Sequence, residues 1–138
     1  MLPDSRTWAP AVTRLTTLTL NAGVVVIGTP NTIAFQLPAL TSILSITTSY
    51  PAWVTLYTSQ TALTSDASRV ITADPTAGSG AVVDAYCTTG VPTVVTSPVP
   101  TFNNPTSAPM ANAYLSVRNM GGSNGPITVT IIHCPEQF

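Results

Sequence analysis

Apolar and polar residues alternate with a period of two over much of this sequence. The final stretch, ITVTIIHC, places Ile127, Val129, Ile131 and His133 on one face of a strand, and Thr128, Thr130, Ile132 and Cys134 on the other. Because successive side chains of a strand point to opposite faces, such alternation predicts a half-buried strand. Similar patterns predict strands in residues 12–20, 32–37, 80–87 and 110–120.

Two segments carry a less regular pattern. Residues 23–28, GVVVIG, form a continuous apolar run, which predicts a strand buried on both faces or one that ends at a glycine bend. Residues 40–48, LTSILSITT, show some helical spacing, but their β-branched and hydroxyl residues lower helix propensity, so we expect a strand. Turn chemistry at 21–23 and 29–31 separates these elements.

Residues 52–58, AWVTLYT, predict a core strand with apolar side chains on both faces. The following stretch, Ser59 to Arg69, is the one place where a turn or two of helix is expected, because Asp66 and Arg69 are spaced to pair across a helical turn. Near the end of the sequence, 110–120 and 127–134 flank the glycine-rich loop 121–126, and this arrangement predicts a β-hairpin.

Together these elements predict an all-β protein, an antiparallel, jelly-roll-like β-sandwich of seven to eight strands with at most one short helix. A length of 138 residues suits a single domain spanning 1–138. Residues from about 1 to 11 are expected to form an N-terminal arm. The proline-rich stretch from about 88 to 109 is either a contact-making loop or an edge strand that prolines interrupt.

Charge is scarce, and its scarcity excludes several partners. Only 7% of the residues are charged, against about a quarter in typical proteins, and the sequence contains no lysine. So few cations cannot neutralise many phosphates, which argues against nucleic acid and anionic membrane surfaces. An apolar content of 44% and a mean hydropathy of +0.35 predict a folded chain.

Serine and threonine make up about a quarter of the sequence, so the polar faces of the strands are largely hydroxyl. A nearly uncharged surface protects poorly against association, which favours a protein that normally lives in an assembly. The alternative is a secreted threonine-rich domain. The N-terminus lacks the apolar core of a signal peptide, so we expect Cys87 and Cys134 to remain free thiols in a reducing compartment.

No pattern in the sequence predicts catalysis, a metal or a cofactor. Residues 121–125 satisfy G-x-S-x-G around Ser123, but a hairpin loop is expected there instead of a strand-to-helix turn. The single histidine, His133, lies on an apolar strand face, where core packing is expected. Asp74 precedes a proline and is expected to cap a turn, and Asp84 takes an outward strand position.

One segment resembles a known class of proteins. Trp53-Val54-Thr55-Leu56-Tyr57, then Asp66 and Arg69, then Asp74-Pro75 and glycines 78 and 80, are similar to a pattern in small β-sandwich accessory proteins of tailed-phage virions. The resemblance covers about Ala52 to Ala85. It implies a virion protein of the capsid decoration, or cement, class, assembled in the host cytoplasm. Such proteins usually form trimers on the major capsid protein, with Asp66, Arg69 and Asp74 holding a structural turn.

The apolar first half leaves the position on the virion open, so a tail, neck or baseplate component is an alternative. A second alternative is a carbohydrate-binding sandwich, with Trp53 and Tyr57 as an exposed platform. A hydrolase built on Ser123 and His133 is disfavoured, and we do not expect an enzyme. Trp8 in the arm and Phe102 in the proline-rich loop are candidate contact residues.

Overall fold

A computed structural model describes residues 15–96, 99–104 and 109–136. Within these ranges it contains nine strands and one short helix. In chain order they are β1 (Thr16–Val25), β2 (Asn31–Pro38), β3 (Leu40–Thr48), β4 (Ala52–Tyr57), α1 (Gln60–Ser65), β5 (Ala81–Cys87), β6 (Thr93–Val95), β7 (Thr101–Asn103), β8 (Met110–Asn119) and β9 (Gly125–Pro135).

The strands form two antiparallel sheets with nested pairing. Sheet A has the order β1-β9-β3-β6, with β7 also paired to β3, and sheet B has the order β2-β8-β4-β5. Strands β6 and β7 together occupy one edge position. The pairs are nested in chain order: the first strand, β1, pairs with the last, β9. Within that pair along the chain come β2 with β8, then β3 with β6 and β7, and finally β4 with β5. This wrapped arrangement is that of a jelly roll, so the expected fold class is confirmed.

The core lies between the two sheets and follows the alternation seen in the sequence. In β9 the residues Ile127, Val129, Ile131 and His133 are buried, and the intervening residues are partly exposed. His133 packs in the core, as predicted, with Nδ1 3.0 Å from the hydroxyl of Thr41. Cys87 is buried and Cys134 is partly exposed, and both are free thiols.

The predicted hairpin between residues 110–120 and 127–134 is wrong. Both segments are strands, but β8 belongs to sheet B and β9 to sheet A, so the loop between them crosses from one sheet to the other. Asn119 holds this crossing, because its side-chain nitrogen donates to the carbonyls of Val25 and Ser123, each at 2.9 Å. Alternation shows only that each strand has a buried face. A strand has such a face both in a hairpin and in a crossing between sheets, so the pattern could not distinguish the two.

The start of the chain also differs from expectation. The predicted turn at 21–23 is a β-bulge inside β1, where Gly23 has a φ of 70° and its amide donates to the side chain of Asn21 at 2.8 Å. The predicted buried strand at 23–28 ends at Val25. Val26 and Ile27 are 46% and 47% exposed, because the chain turns there toward β2.

The proline-rich stretch forms an interrupted sheet edge, where β6 and β7 each pair with β3 over three residues. This pairing turns the Phe102 side chain inward, where it is fully buried. The expectation that Phe102 is a surface contact is therefore wrong. Trp8, the other candidate contact, lies outside the described residues.

Candidate interaction surface

The side of β4 that faces away from the core is also covered. Trp53, Thr55 and Tyr57 point away from the space between the sheets, yet each is at most 5% exposed. The cover is the segment between β4 and β5, which begins with α1. Ser59 caps this helix by accepting a hydrogen bond from the Ala62 amide at 3.0 Å. The predicted helix is thus confirmed, and it packs Ala62 and Leu63 against Tyr57.

Arg69 holds the next part of this segment in place. Its Nε donates to both carboxylate oxygens of Asp66 at 2.9 Å, and its Nη1 reaches the Ala73 carbonyl at 2.8 Å. The guanidinium also contacts Asp84, with Nη1 3.0 Å from Oδ2. The hydrogen bond to Asp84 is the main cause of a raised pKa of Arg69. The predicted pairing of Asp66 with Arg69 is confirmed, whereas Asp74 is exposed nearby.

Asp84 connects this loop to the strand beneath it. Its Oδ1 accepts hydrogen bonds from the Trp53 indole nitrogen at 2.6 Å and from the Thr55 hydroxyl at 2.7 Å. Burial alone raises the pKa of Asp84, but the hydrogen bonds from Arg69, Thr55 and Trp53 outweigh it and leave the pKa below its usual value. Asp84 is therefore an ionised acceptor that joins two strands and the loop.

Tyr57 of β4 also connects the sheet to this loop, because its hydroxyl donates to Asp66 Oδ2 at 2.6 Å. Burial, and after it the hydrogen bond and negative charge of Asp66, raise the pKa of Tyr57 to about 12. The phenol therefore stays protonated and remains a donor at neutral pH.

Arg118 completes the network from β8. It lies opposite Trp53 in the register of the sheet, with its guanidinium carbon 4.2 Å from the ring centroid, and Arg69 lies 5.0 Å from the same centroid. Two nitrogens of Arg118 donate to the carbonyls of Ala67 and Arg69, each at 2.9 Å. The loop after α1 is therefore attached to the sheet at its side chains and at its backbone.

By holding this loop, the network creates an apolar groove at one end of the sandwich. The groove has a volume of about 320 Å³ and is lined by Gly28, Pro30, Trp53, Ala67, Val70, Ile71, Arg118, Asn119 and Met120. Three of these lining residues are large apolar side chains exposed to solvent: Val70 at 60%, Ile71 at 36% and Met120 at 36%. We call Val70, Ile71, Met120 and the adjoining exposed Ile27 the loop-end patch.

The surface around this patch is nearly free of charge. Within the described ranges the two arginines, Arg69 and Arg118, both pack on Trp53, and Asp66 and Asp84 are paired with Arg69. The remaining charged residues of these ranges, Asp74 and Glu136, are exposed. Exposed apolar residues that cluster without surrounding charge mark a contact surface more often than a solvated face.

The structure rules out two sites that were considered from the sequence, a sugar-binding platform and a Ser123–His133 catalytic pair. Trp53 and Tyr57 are 5% and 1% exposed, so they cannot form the sugar-binding platform that was considered. Ser123 lies in the β8–β9 loop, where its hydroxyl is 3.1 Å from the Tyr50 hydroxyl, and His133 lies near the far end of β9. Eight residues of strand, about 26 Å, separate His133 from the start of β9, so the two residues cannot act together.

Sequence reasoning did not find Arg118 and gave Asp84 no partner. A usable signal was present for Arg118, because it shares the outward face of its strand with Tyr114 and Ser116, and β4 carries matching polar and aromatic residues. The pairing of β4 with β8 brings these two faces together.

Comparisons with protein-family models, with curated proteins and with solved structures found no match to this chain. In the part of the chain that the structure describes, there is no helix long and apolar enough to cross a membrane.

Proposed function

We propose that this chain is a structural subunit of a phage virion, a capsid decoration protein that binds the major capsid protein and assembles with copies of itself, as a trimer. The observation that carries the proposal is the loop-end patch on a surface almost without charge. A network of two arginines and two aspartates is used to position exposed Val70 and Ile71, and this supports a role in protein contacts.

The resemblance of residues 52–85 to virion accessory proteins gives a second line of support. That segment folds as one unit, β4-α1-loop-β5, and Asp66 and Arg69 occupy the turn-fixing role that the resemblance implies. The jelly-roll architecture is compatible with this proposal, since capsid domains use it. Lectin domains and cupins use it too, so the architecture alone does not assign the function.

A decoration protein does not need one strong interface. On a shell, each subunit makes several weak contacts at once, and the effective concentration of the remaining contacts makes the whole layer stable. Small apolar patches and hydroxyl-rich faces are adequate for such contacts. They also explain why the surface can omit the charges that keep a solitary protein dispersed.

The proposal is tested by adding the purified full-length protein to phage heads and measuring co-sedimentation, together with light scattering of the free protein. We expect saturable binding to heads and a homo-oligomer in solution. Val70→Asp should weaken head binding at least tenfold, because it places a charge in the patch. Val95→Asp, at a site 72% exposed on β6, is the matched control and should bind normally.

A stable monomer that ignores heads would contradict the proposal. Antibody labelling of whole virions, viewed in negative stain, separates the head from the tail. Labelling confined to the tail, neck or baseplate would replace the decoration role with the alternative structural role.

A further inference from the structure

The two open sides of the sandwich differ in how their edge strands are protected. On one side, β5 carries Asp84, and β6 and β7 are only three residues long with Pro100 between them. Charges, prolines and short strands are devices that prevent an edge from pairing with another chain. On the other side, β1 and β2 together have eighteen residues without a single charge, and their only proline is Pro38 at the end of β2. The bulge between Asn21 and Val24 protects only one end of β1, so residues 17–20 keep a regular edge. Association is therefore favoured on the β1/β2 side.

This side also leaves part of the core open. Leu18 and Leu20 of β1 and Ile33 and Phe35 of β2 pack against the core, but each remains partly exposed between the two sheets. We call these four residues the β1/β2 seam. From Thr17 onward, no strand in the described part of the chain pairs with the outer edge of β1.

One end of the seam is already closed. The side-chain nitrogen of Asn31 donates to the carbonyls of Ala22 and Val24, at 2.8 and 3.0 Å, next to the bulge in β1. The open length therefore runs from this bulge toward the other end of β1, where the described chain begins at Leu15. Leu15 itself is 56% exposed and extends the apolar surface to that end.

We propose that residues 1–14 of a neighbouring copy lie along the β1/β2 seam and cover it. These residues join the described chain at the open end of the seam, and fourteen extended residues reach up to about 46 Å, more than the roughly 33 Å of β1. Their sequence includes Leu2, Trp8 and Val12, which suit a partly open apolar surface. An aromatic anchor such as Trp8 would contribute much of the contact energy.

The sequence just before β1 favours a neighbouring copy over the same chain. To cover its own seam, the chain would have to reverse direction before β1, and Val12, Thr13 and Arg14 lack the glycine, asparagine or proline that tight turns use. A reversal at Pro10 would leave nine residues, about 30 Å at most, to run back past residues 11–14 and along the seam, less than all fourteen residues of a neighbouring copy can span. The inference rests on the proposed self-association and assigns the segment that produces it.

The test uses the full-length protein with a photoreactive benzoylphenylalanine in place of Trp8. Illumination should give a covalent dimer, and mass spectrometry of its peptides should place the cross-link within residues 16–38. The same probe in place of Val95, on the protected side, is the control and should not cross-link to residues 1–14. Light scattering of both proteins reports self-association independently.

A cross-link within one chain would overturn the exchange of arms. A covalent dimer joined elsewhere, with normal oligomer mass, would overturn the seam as the binding surface while leaving self-association intact. A monomer without cross-linked dimer would overturn both this inference and the proposed oligomer.

Discussion

Arg69 and Asp84 form an ion pair across the outer face of sheet B, with Nη1 3.0 Å from Oδ2 and the two residues fifteen positions apart in the sequence. Arg69 belongs to the loop after α1 and Asp84 to β5, so the pair closes that loop onto the sheet. The densest charge cluster of the described chain thus has a structural role, and it places Val70 and Ile71 at the loop-end patch.

Arg69→Ala should destabilise the fold strongly. The Arg69 side chain is 7% exposed, and its removal leaves Asp66 and Asp84 without their cation, so we expect a loss of about 3 kcal/mol in the free energy of unfolding. Urea unfolding measures this loss. Asp74→Asn removes an exposed acid from the same loop and should change stability by less than about 0.5 kcal/mol. Equal losses in the two variants would contradict the role given to Arg69.

Asp84 should make stability depend on pH in the acid range. Its pKa is lowered in the folded state, so the stabilisation is fully present above the unfolded value of about 4 and is lost as the pH falls through the lower folded value. Urea unfolding of the wild type and of Asp84→Asn at pH 7, 4, 3 and 2 should therefore show a stability difference that shrinks below pH 4. A constant difference over that range would show that Asp84 contributes through shape alone.

His133 should produce a second, separate pH dependence. Burial lowers its pKa, so the unfolded chain binds a proton more readily than the folded one, and stability falls as the pH drops below about 6.5. As the chain has a single histidine, NMR titration of its ring carbons needs no assignment by mutation. His133→Asn should flatten the stability profile between pH 7 and 5. A folded-state titration near 6.5 would disprove the effect.

Gly121→Ala should disturb the crossing between the sheets. A Cβ at Gly121 would overlap the ring of Tyr50 at Cε2, and the Tyr50 hydroxyl accepts hydrogen bonds from the amides of Gly122 and Ser123 at 3.1 Å. The ring must move and give up these bonds, which should cost about 1–2 kcal/mol. Gly122→Ala is the matched control, since a Cβ there meets no atom within 4 Å. Thermal unfolding should show a lower Tm for Gly121→Ala and for Tyr50→Phe, which removes the accepting hydroxyl, and an unchanged Tm for Gly122→Ala.

The sequence by itself determined the features that depend on neighbouring residues. Alternation placed β5 and β9 and the buried face of Ile127 to His133, because the period of side chains along a strand is a local property. Residue type placed β3 and β4, through the low helix propensity of residues 40–48 and the apolar side chains on both faces of residues 52–58. The short helix after residue 59 and the Asp66–Arg69 pair also depend on residues only three or four positions apart. All of these were predicted and confirmed.

The tertiary structure alone decided which strands are neighbours, and therefore which side chains are exposed at the surface. Alternation gives a strand two faces but names no partner, so it could not distinguish a hairpin from the crossing between β8 and β9. The partners of Trp53 come from β5 and β8, through Asp84 and Arg118, at sequence distances of thirty-one and sixty-five residues. Phe102 was buried by pairing with β3, and Ile27 was exposed by a turn, for the same reason: burial depends on which distant strand lies opposite.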